Sequence, residues 1–374
     1  MKFTVSSSAL NSQLQNLSKV INSKNTLAIL DCFLFDVKES KLTITASDSE
    51  NMMKSSISLE SSDMEGKFAI VNRTILDAMK ELPEQPLTFD VNMEDFKVDV
   101  HYQNGSYQFT AQDGEEYPYF EPIGSNCNVI TINEGLLASN LTRSLFATAS
   151  DELRPVMNGI YFDQREDYLA IVASDGHKLV RNKNLEVKSS SACSFILPKK
   201  PATLLKNAMS KADATVEVKF NESKAEITFE EGTLSCRLIE GKYPKYESVI
   251  PTNNPNEIII DRKGLLSALK RVLPFASESS ELIRFNIEAG KIQLISEDID
   301  FSTSAQEALI CDYSGMGMSI GFKGSSLLEI LNNLSCNEIT ISLADPSRAG
   351  IITPTTQLEN ENVLMLLMPM LLNE

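Results

Sequence analysis

The chain has 374 residues, with 34 Lys plus Arg against 51 Asp plus Glu, so its net charge of −17 excludes a surface that grips polyanions everywhere and leaves only local nucleic-acid contact. At 42% apolar residues it can fill two or three cores, as expected of a soluble multi-domain protein. Its six cysteines (Cys32, Cys127, Cys193, Cys236, Cys311, Cys336) stand singly without a Cys-x-x-Cys pair, which argues against structural zinc and a disulfide framework and predicts a reducing, cytoplasmic setting with no metal or cofactor.

In chain order, Phe3 and Val5 read as a strand, and the spacing of Leu10, Leu14, Leu17 and Val20 predicts a helix over 7–21. An alternating run, 42–48, ends in Ser47-Asp48. Phe68 to Val71 then leads into a helix over 72–82, 97–100 alternates as a half-buried strand, and Tyr117-Pro118 closes the unit. The same order recurs twice. The second copy has helices over 133–149 and 198–211, Ser174-Asp175 and Tyr243-Pro244. The third has helices over 261–273 and 323–335, Ser296-Glu297-Asp298 and Met368-Pro369. Asp48, Asp175 and Asp298 are spaced by 127 and 123, and the proline motifs by 126 and 125, so the chain is a threefold repeat. Turn formers at 122–126 and 251–255 set the modules at 1–122, 123–251 and 252–374. Each is an α+β module of two helices and antiparallel strands whose edges are free to pair with a neighbouring copy, which predicts a curved array or closed ring.

The remaining apolar tract, 363–372, is interrupted by Pro369 and spans half of the roughly twenty residues a bilayer requires, so neither a signal peptide nor a membrane helix is expected. The six predicted helices hold thirteen cations (Lys19, Arg73, Lys80, Arg143, Lys199, Lys200, Lys206, Lys211, Arg262, Lys263, Lys270, Arg271, Lys323) and five anions. Glu is as good a helix former as Lys, so its scarcity there points to a surface that attracts phosphate. Asp175-Gly176-His177 sets an acid beside a base, but Asp-Gly is first a tight-turn signal. No P-loop, His-Glu-x-x-His or Gly-x-Ser-x-Gly elbow occurs. The chain therefore reads as non-enzymatic.

The threefold repeat, 27–30 (Leu-Ala-Ile-Leu), Asn158-Gly159, Ser174-Asp175-Gly176-His177-Lys178-Leu179, Tyr243-Pro244 and Met368-Pro369-Met370 together resemble the bacterial DNA polymerase III beta subunit family, the replication sliding clamps, over the whole chain. The resemblance implies a head-to-tail homodimer of six modules, the DNA clamp fold, with helices inside the ring and sheets outside. It implies double-stranded DNA held without sequence preference, and as partners the DNA polymerase III alpha subunit, the clamp loader complex and other replication and repair proteins carrying clamp-binding peptides. By resemblance Lys24, Arg73, Lys199 and Lys200 face DNA; Arg143, Lys206, Lys263 and Lys270 join them on helix charge alone. The peptide pocket would comprise Met157, Ser174, Gly176, His177, Lys178, Leu179, Pro244, Val249, Leu366, Leu367, Met368, Pro369 and Met370, where apolar side chains from separate strands converge and Met adapts to several partners. Tyr107 and Phe109 of one copy would meet Pro274 and Phe275 of the other at the dimer seam. Two departures bear on the pocket: Ser248 replaces a frequent basic residue, and Leu371-Leu372-Asn373-Glu374 follows Met370 where the family usually ends on a base. A protein-only repeat scaffold is the alternative reading.

Overall fold

The computed structural model describes residues 1–209 and 213–372; Lys211 of the expected fourth helix and Asn373 and Glu374 of the tail lie outside the described residues. Six α-helices are described: α1 (Ser7–Ser18), α2 (Asn72–Met79), α3 (Glu134–Leu145), α4 (Lys199–Ala208), α5 (Arg262–Val272) and α6 (Gly324–Asn332). Each begins on the residue after a strand ends, at Ser6, Val71, Asn133, Pro198, Asp261 and Lys323. The first helix of each copy has a side-chain cap: Ser6 Oγ accepts from Ala9 N (3.2 Å), Asn133 Oδ1 from Leu136 N (2.9 Å), and Asp261 Oδ2 from Gly264 N. Such caps satisfy amides that would otherwise lack an acceptor.

The helices end earlier than the apolar spacing predicts. Past α1, Val20 N and Ile21 N donate to Leu17 O and Ser18 O, and past α3 Ala147 N and Thr148 N donate to Ser144 O and Leu145 O. These three-residue turns keep Val20 and Ala147 buried after the α-helix has stopped, so the apolar pattern outlasts the helix.

Compactness groups the described chain into two units, 1–138 with 200–238, and 139–199 with 239–374, because strands pair across the expected module borders. In the first unit a five-stranded sheet orders Ser61–Ser62, Lys2–Ser6, Pro86–Val91, Lys97–Tyr102 and Gly105–Thr110. Beside it runs a nine-stranded sheet in which Asn51–Ser58 pairs antiparallel with Gly232–Arg237. At that joint a Cβ on Gly232 would lie 2.1 Å from the Lys54 carbonyl oxygen, so only glycine allows the approach. The core between the sheets and α1 stacks Phe3 on Phe89 (4.8 Å between centroids) and Phe35 on Phe68 (5.1 Å).

The second unit has an eight-stranded sheet in which Lys178–Asn184 pairs antiparallel with Glu361–Leu367, Leu179 opposite Leu366, and a four-stranded sheet with Thr303–Ile310 at one edge. The run Val363-Leu364-Met365-Leu366-Leu367 is buried on both faces. Leu364 and Leu366 pack with Leu179, Val172 and Tyr243.

Candidate functional site

The three repeated aspartates do one local job. Asp48 Oδ1 accepts from Glu50 N (3.0 Å) and Asn51 N (2.7 Å), Asp175 Oδ1 from His177 N (2.8 Å) and Lys178 N (2.9 Å), and Asp298 Oδ1 from Phe301 N (3.2 Å). Each closes a turn after a strand, as Asp does when its side chain mimics a backbone acceptor. Asp175 and His177 thus share a turn in which the carboxylate is spent on amides and on Lys178 Nζ at 3.0 Å, and no acid–base pair is formed. Among the described residues no cluster of His, Cys, Asp or Glu could hold a metal ion, and no helix is long and apolar enough to cross a membrane.

The helix cations divide into two groups. Arg73 on α2, Lys199 and Lys206 on α4, and Lys263 and Lys270 on α5 are exposed, as is Lys24 in the loop after α1. On α4 and α5 the basic pairs are seven residues apart, about 10 Å along one solvated stripe, opposite the buried Leu204, Leu205, Leu265 and Leu269. Several other helix cations have close partners far along the chain or within the same fold element. Lys200 Nζ donates to Val20 O (2.7 Å), Asn22 Oδ1 (2.6 Å) and Asp48 Oδ2 (2.5 Å). Arg143 holds Glu361 at 2.6 Å with both side chains largely buried, and Arg262 donates to the carbonyls of Cys336 and Leu331 at the end of α6. Arg271 pairs with Glu307, Lys80 with Asp77 and Lys323 with Glu281. Arg143 and Lys200, expected to face DNA, are each paired with an acid distant in sequence, Lys200 with its side chain 35% exposed.

Of the expected pocket residues, Lys178, Leu179, Leu366 and Leu367 lie on the joint between Lys178–Asn184 and Glu361–Leu367, and Met368, Pro369 and Met370 follow directly after it. Leu179 and Leu366 face each other there in one buried apolar cluster, and Met157 and Leu367 are buried too, Leu367 on the opposite face of the sheet, while Met368 (41% exposed) and Val249 (57%) stand open with Gly176, His177 and Pro244. Pro369 and Met370 are half-buried. Two hydrogen bonds hold this terminal segment, Met368 N to His177 O and Met370 N to Gly321 O, both 2.8 Å. Ser174 Oγ donates to Lys178 O (2.9 Å) and fixes the turn in which Gly176 takes φ +92°, a conformation suited to glycine. Lys178 departs from the expected pocket contact: its ammonium is buried between Asp175 (3.0 Å) and Glu329 of α6 (2.9 Å). Burial disfavours its charge, but its hydrogen bonds to Glu329 and Asp175 outweigh that and raise its pKa.

Two cations here escaped the sequence reading. The Arg154 guanidinium lies 3.2 Å from where a Gly176 Cβ would sit, and Arg348 lines an open concavity with Glu247, Ser248, Val249 and Asn253. Each is paired with a nearby acid, Arg154 with Asp151 (2.7 Å) and Arg348 with Asp345 (3.4 Å). Neither carried a motif, since each arrives on a loop.

At the expected seam, Tyr107 lies half-buried on the edge strand Gly105–Thr110, its ring 4.9 Å from that of Tyr102, and Pro274 and Phe275 are exposed. Phe109 is 7% exposed and faces its own core, so it offers little outward surface. The Leu273–Phe275 turn packs on the edge strand Thr303–Ile310, where Ile310 (90% exposed) was not anticipated.

Compared with known proteins, residues 1–121, 131–245 and 247–371 match in succession the N-terminal, central and C-terminal domains of the DNA polymerase III beta subunit. The beta sliding clamp of Pseudomonas aeruginosa is 25% identical over 371 residues, covering 99% of this chain and 100% of that one. That of Bacillus subtilis is 24% identical over 380 residues, covering 99% of each. The crystal structure of the P. aeruginosa sliding clamp bound to griselimycin matches over the whole of both chains with a TM-score of 0.93 at 24% identity, and the beta subunit of Thermotoga maritima with 0.89 at 24%. These likenesses show the three-domain clamp fold. With three family domains in order along nearly its whole length, the chain belongs to the DNA polymerase III beta subunit family, the sliding clamps, non-catalytic processivity factors that encircle DNA and tether the polymerase.

Proposed function

We propose that two copies of this chain, each of modules 1–122, 123–251 and 252–374, join head to tail into a ring around duplex DNA. The observation that carries this reading is the solvated basic stripe repeated on α4 and α5, with Arg73 on α2, in a chain of net charge −17. Exposed Lys and Arg meet phosphates through contacts that salt screens and that carry no base information, which suits a ring that slides. Lys24, Arg73, Lys199, Lys206, Lys263 and Lys270 are the proposed phosphate contacts; Lys200 and Arg143 support the fold behind them. The seam is proposed to join the exposed edges Gly105–Thr110 and Thr303–Ile310 of two copies, covering Tyr107, Pro274 and Phe275. The pocket around Val249 and Met368 is proposed to take apolar peptides of the polymerase III alpha subunit, the clamp loader complex and other replication and repair proteins. Six free thiols suit a cytoplasmic location.

The test is retention on DNA after loading with a clamp loader complex and ATP. The protein is expected to stay on a nicked circular plasmid through gel filtration and to leave when the plasmid is linearised. Equal retention on both forms would replace encirclement with ordinary surface binding.

A further inference from the structure

On the strand Lys178–Asn184, residues 179, 181 and 183 share one face of the eight-stranded sheet. Leu179 belongs to the apolar cluster under the pocket, and the next two positions on that face are Arg181 and Lys183. Arg181 stands opposite Val172 on one neighbouring strand and Leu364 on the other, and its side chain is half-buried. Its one side-chain partner is neutral, Asn362 Oδ1 at 2.6 Å, and its buried Nε has no acceptor among the described residues.

The acids nearby are spent or distant. Asp163 is taken by Arg165 (2.8 Å) and by the Tyr246 hydroxyl (2.9 Å). Glu247, 58% exposed, comes to 3.7 Å of Lys183, beyond hydrogen-bond distance, while Lys183 also lies over the Tyr168 ring at 4.3 Å. Burial lowers the pKa of Arg181, and burial together with the like charge of Arg181 lowers that of Lys183. Two cations share one half-buried face, Arg181 with no carboxylate at ion-pair distance and Lys183 with only the loose Glu247 contact and the Tyr168 ring, so their desolvation cost is offset only in part. The site is continuous with the pocket, since Glu247 both approaches Lys183 and lines the concavity with Val249.

We propose that Arg181 and Lys183 form a carboxylate subsite that reads an acidic group on the peptide docked in the adjoining pocket. An extended chain advances about 3.3 Å per residue, so Arg181 lies about 7 Å and Lys183 about 13 Å from Leu179, and an acid two to four residues from an apolar anchor reaches them. The acid is either an Asp or Glu side chain or the peptide's terminal carboxylate. The inference rests on the pocket reading above and adds to it a charge preference set by this chain's own residues.

The test is selection of random twelve-residue peptides, displayed with free or blocked C-termini, against the full chain and against an R181M/K183M variant of unchanged melting temperature and solution mass. The expected result is apolar anchors with Asp or Glu enriched at a fixed spacing on the wild type, and the same anchors without that enrichment on the variant. Enrichment that survives blocking assigns a side-chain carboxylate; enrichment only with free ends assigns the terminus. A selected peptide should lose about ten-fold in affinity when its acid is changed to the amide, or its terminus is blocked, on the wild type alone. Apolar anchors with no acidic preference, or with the same preference on the variant, would overturn the subsite and leave the pocket standing. Selection of no apolar anchor would overturn the pocket, and the subsite with it.

Discussion

At the scale of single residues, Lys178 and Lys200 act as fasteners. Burial pushes the carboxyls of Asp48 and Asp175 up, but hydrogen bonds outweigh it, from Lys200 and Asn51 on the first and from Lys178 and His177 on the second. Both therefore lie below the ordinary 3.8. A depressed native pKa contributes stability that is complete above the unfolded value and is lost as pH falls through the native one. Urea unfolding should accordingly show both contributions intact at neutral pH and fading below about pH 4. K178M leaves the largely buried Asp175 without its cation and should cost about 2 kcal/mol at pH 7, the loss at Glu329 being small because its side chain is 47% exposed. K200M should cost less, about 1 kcal/mol, because its side chain is 35% exposed and water takes over part of its role. An unchanged unfolding midpoint in K178M would mean that the Lys178–Asp175 pair does not hold the turn.

At the scale of elements, each helix presents a buried apolar stripe to its sheet and leaves the opposite stripe to solvent. On α4 the buried positions are 201, 202, 204, 205 and 208, and Lys199 and Lys206 lie outside that set; on α5 Lys263 and Lys270 lie outside Leu265, Ala268, Leu269 and Val272. Neutralising Arg73, Lys206 and Lys263 together to Gln should leave melting unchanged, since substitutions on an open surface cost little. It should lower the salt dependence of retention on circular DNA by about 0.9 in log–log slope for each phosphate that no longer meets a cation. The same measurement on R143Q should keep the slope and lose stability instead, because Arg143 is neutralised by Glu361. A reduced slope in R143Q would return that residue to the phosphate-binding group.

At the scale of the whole molecule, light scattering at micromolar concentration should give twice the 41.4 kDa chain mass. I310K should bring the mass down to one chain with little change in melting, since a side chain 90% exposed contributes almost nothing to the isolated fold. A stable dimer in I310K would move the seam off the Thr303–Ile310 edge. A monomer in the unaltered protein would leave an arc that depends on another protein to close.

Much of this organisation was legible because it is local. The three copies, the six helices and the turn at Asp175-Gly176 all follow from periods of 2 and 3.6 and from local turn chemistry. Helix ends were read too far, since Val20 and Ala147 stay buried in turns that carry the same apolar spacing. Which charges remain open was not legible. Lys200 finds Asp48 152 positions away, and Arg143 finds Glu361 218 positions away. By itself the sequence determined the repeat, the module type and the segregation of positive charge onto helices, because each depends on neighbours along the chain. Only the tertiary structure decided which cations have acidic partners and which side chains beside the joined strands are buried or exposed, because ion pairs and burial are set by strands and helices that meet from distant parts of the chain.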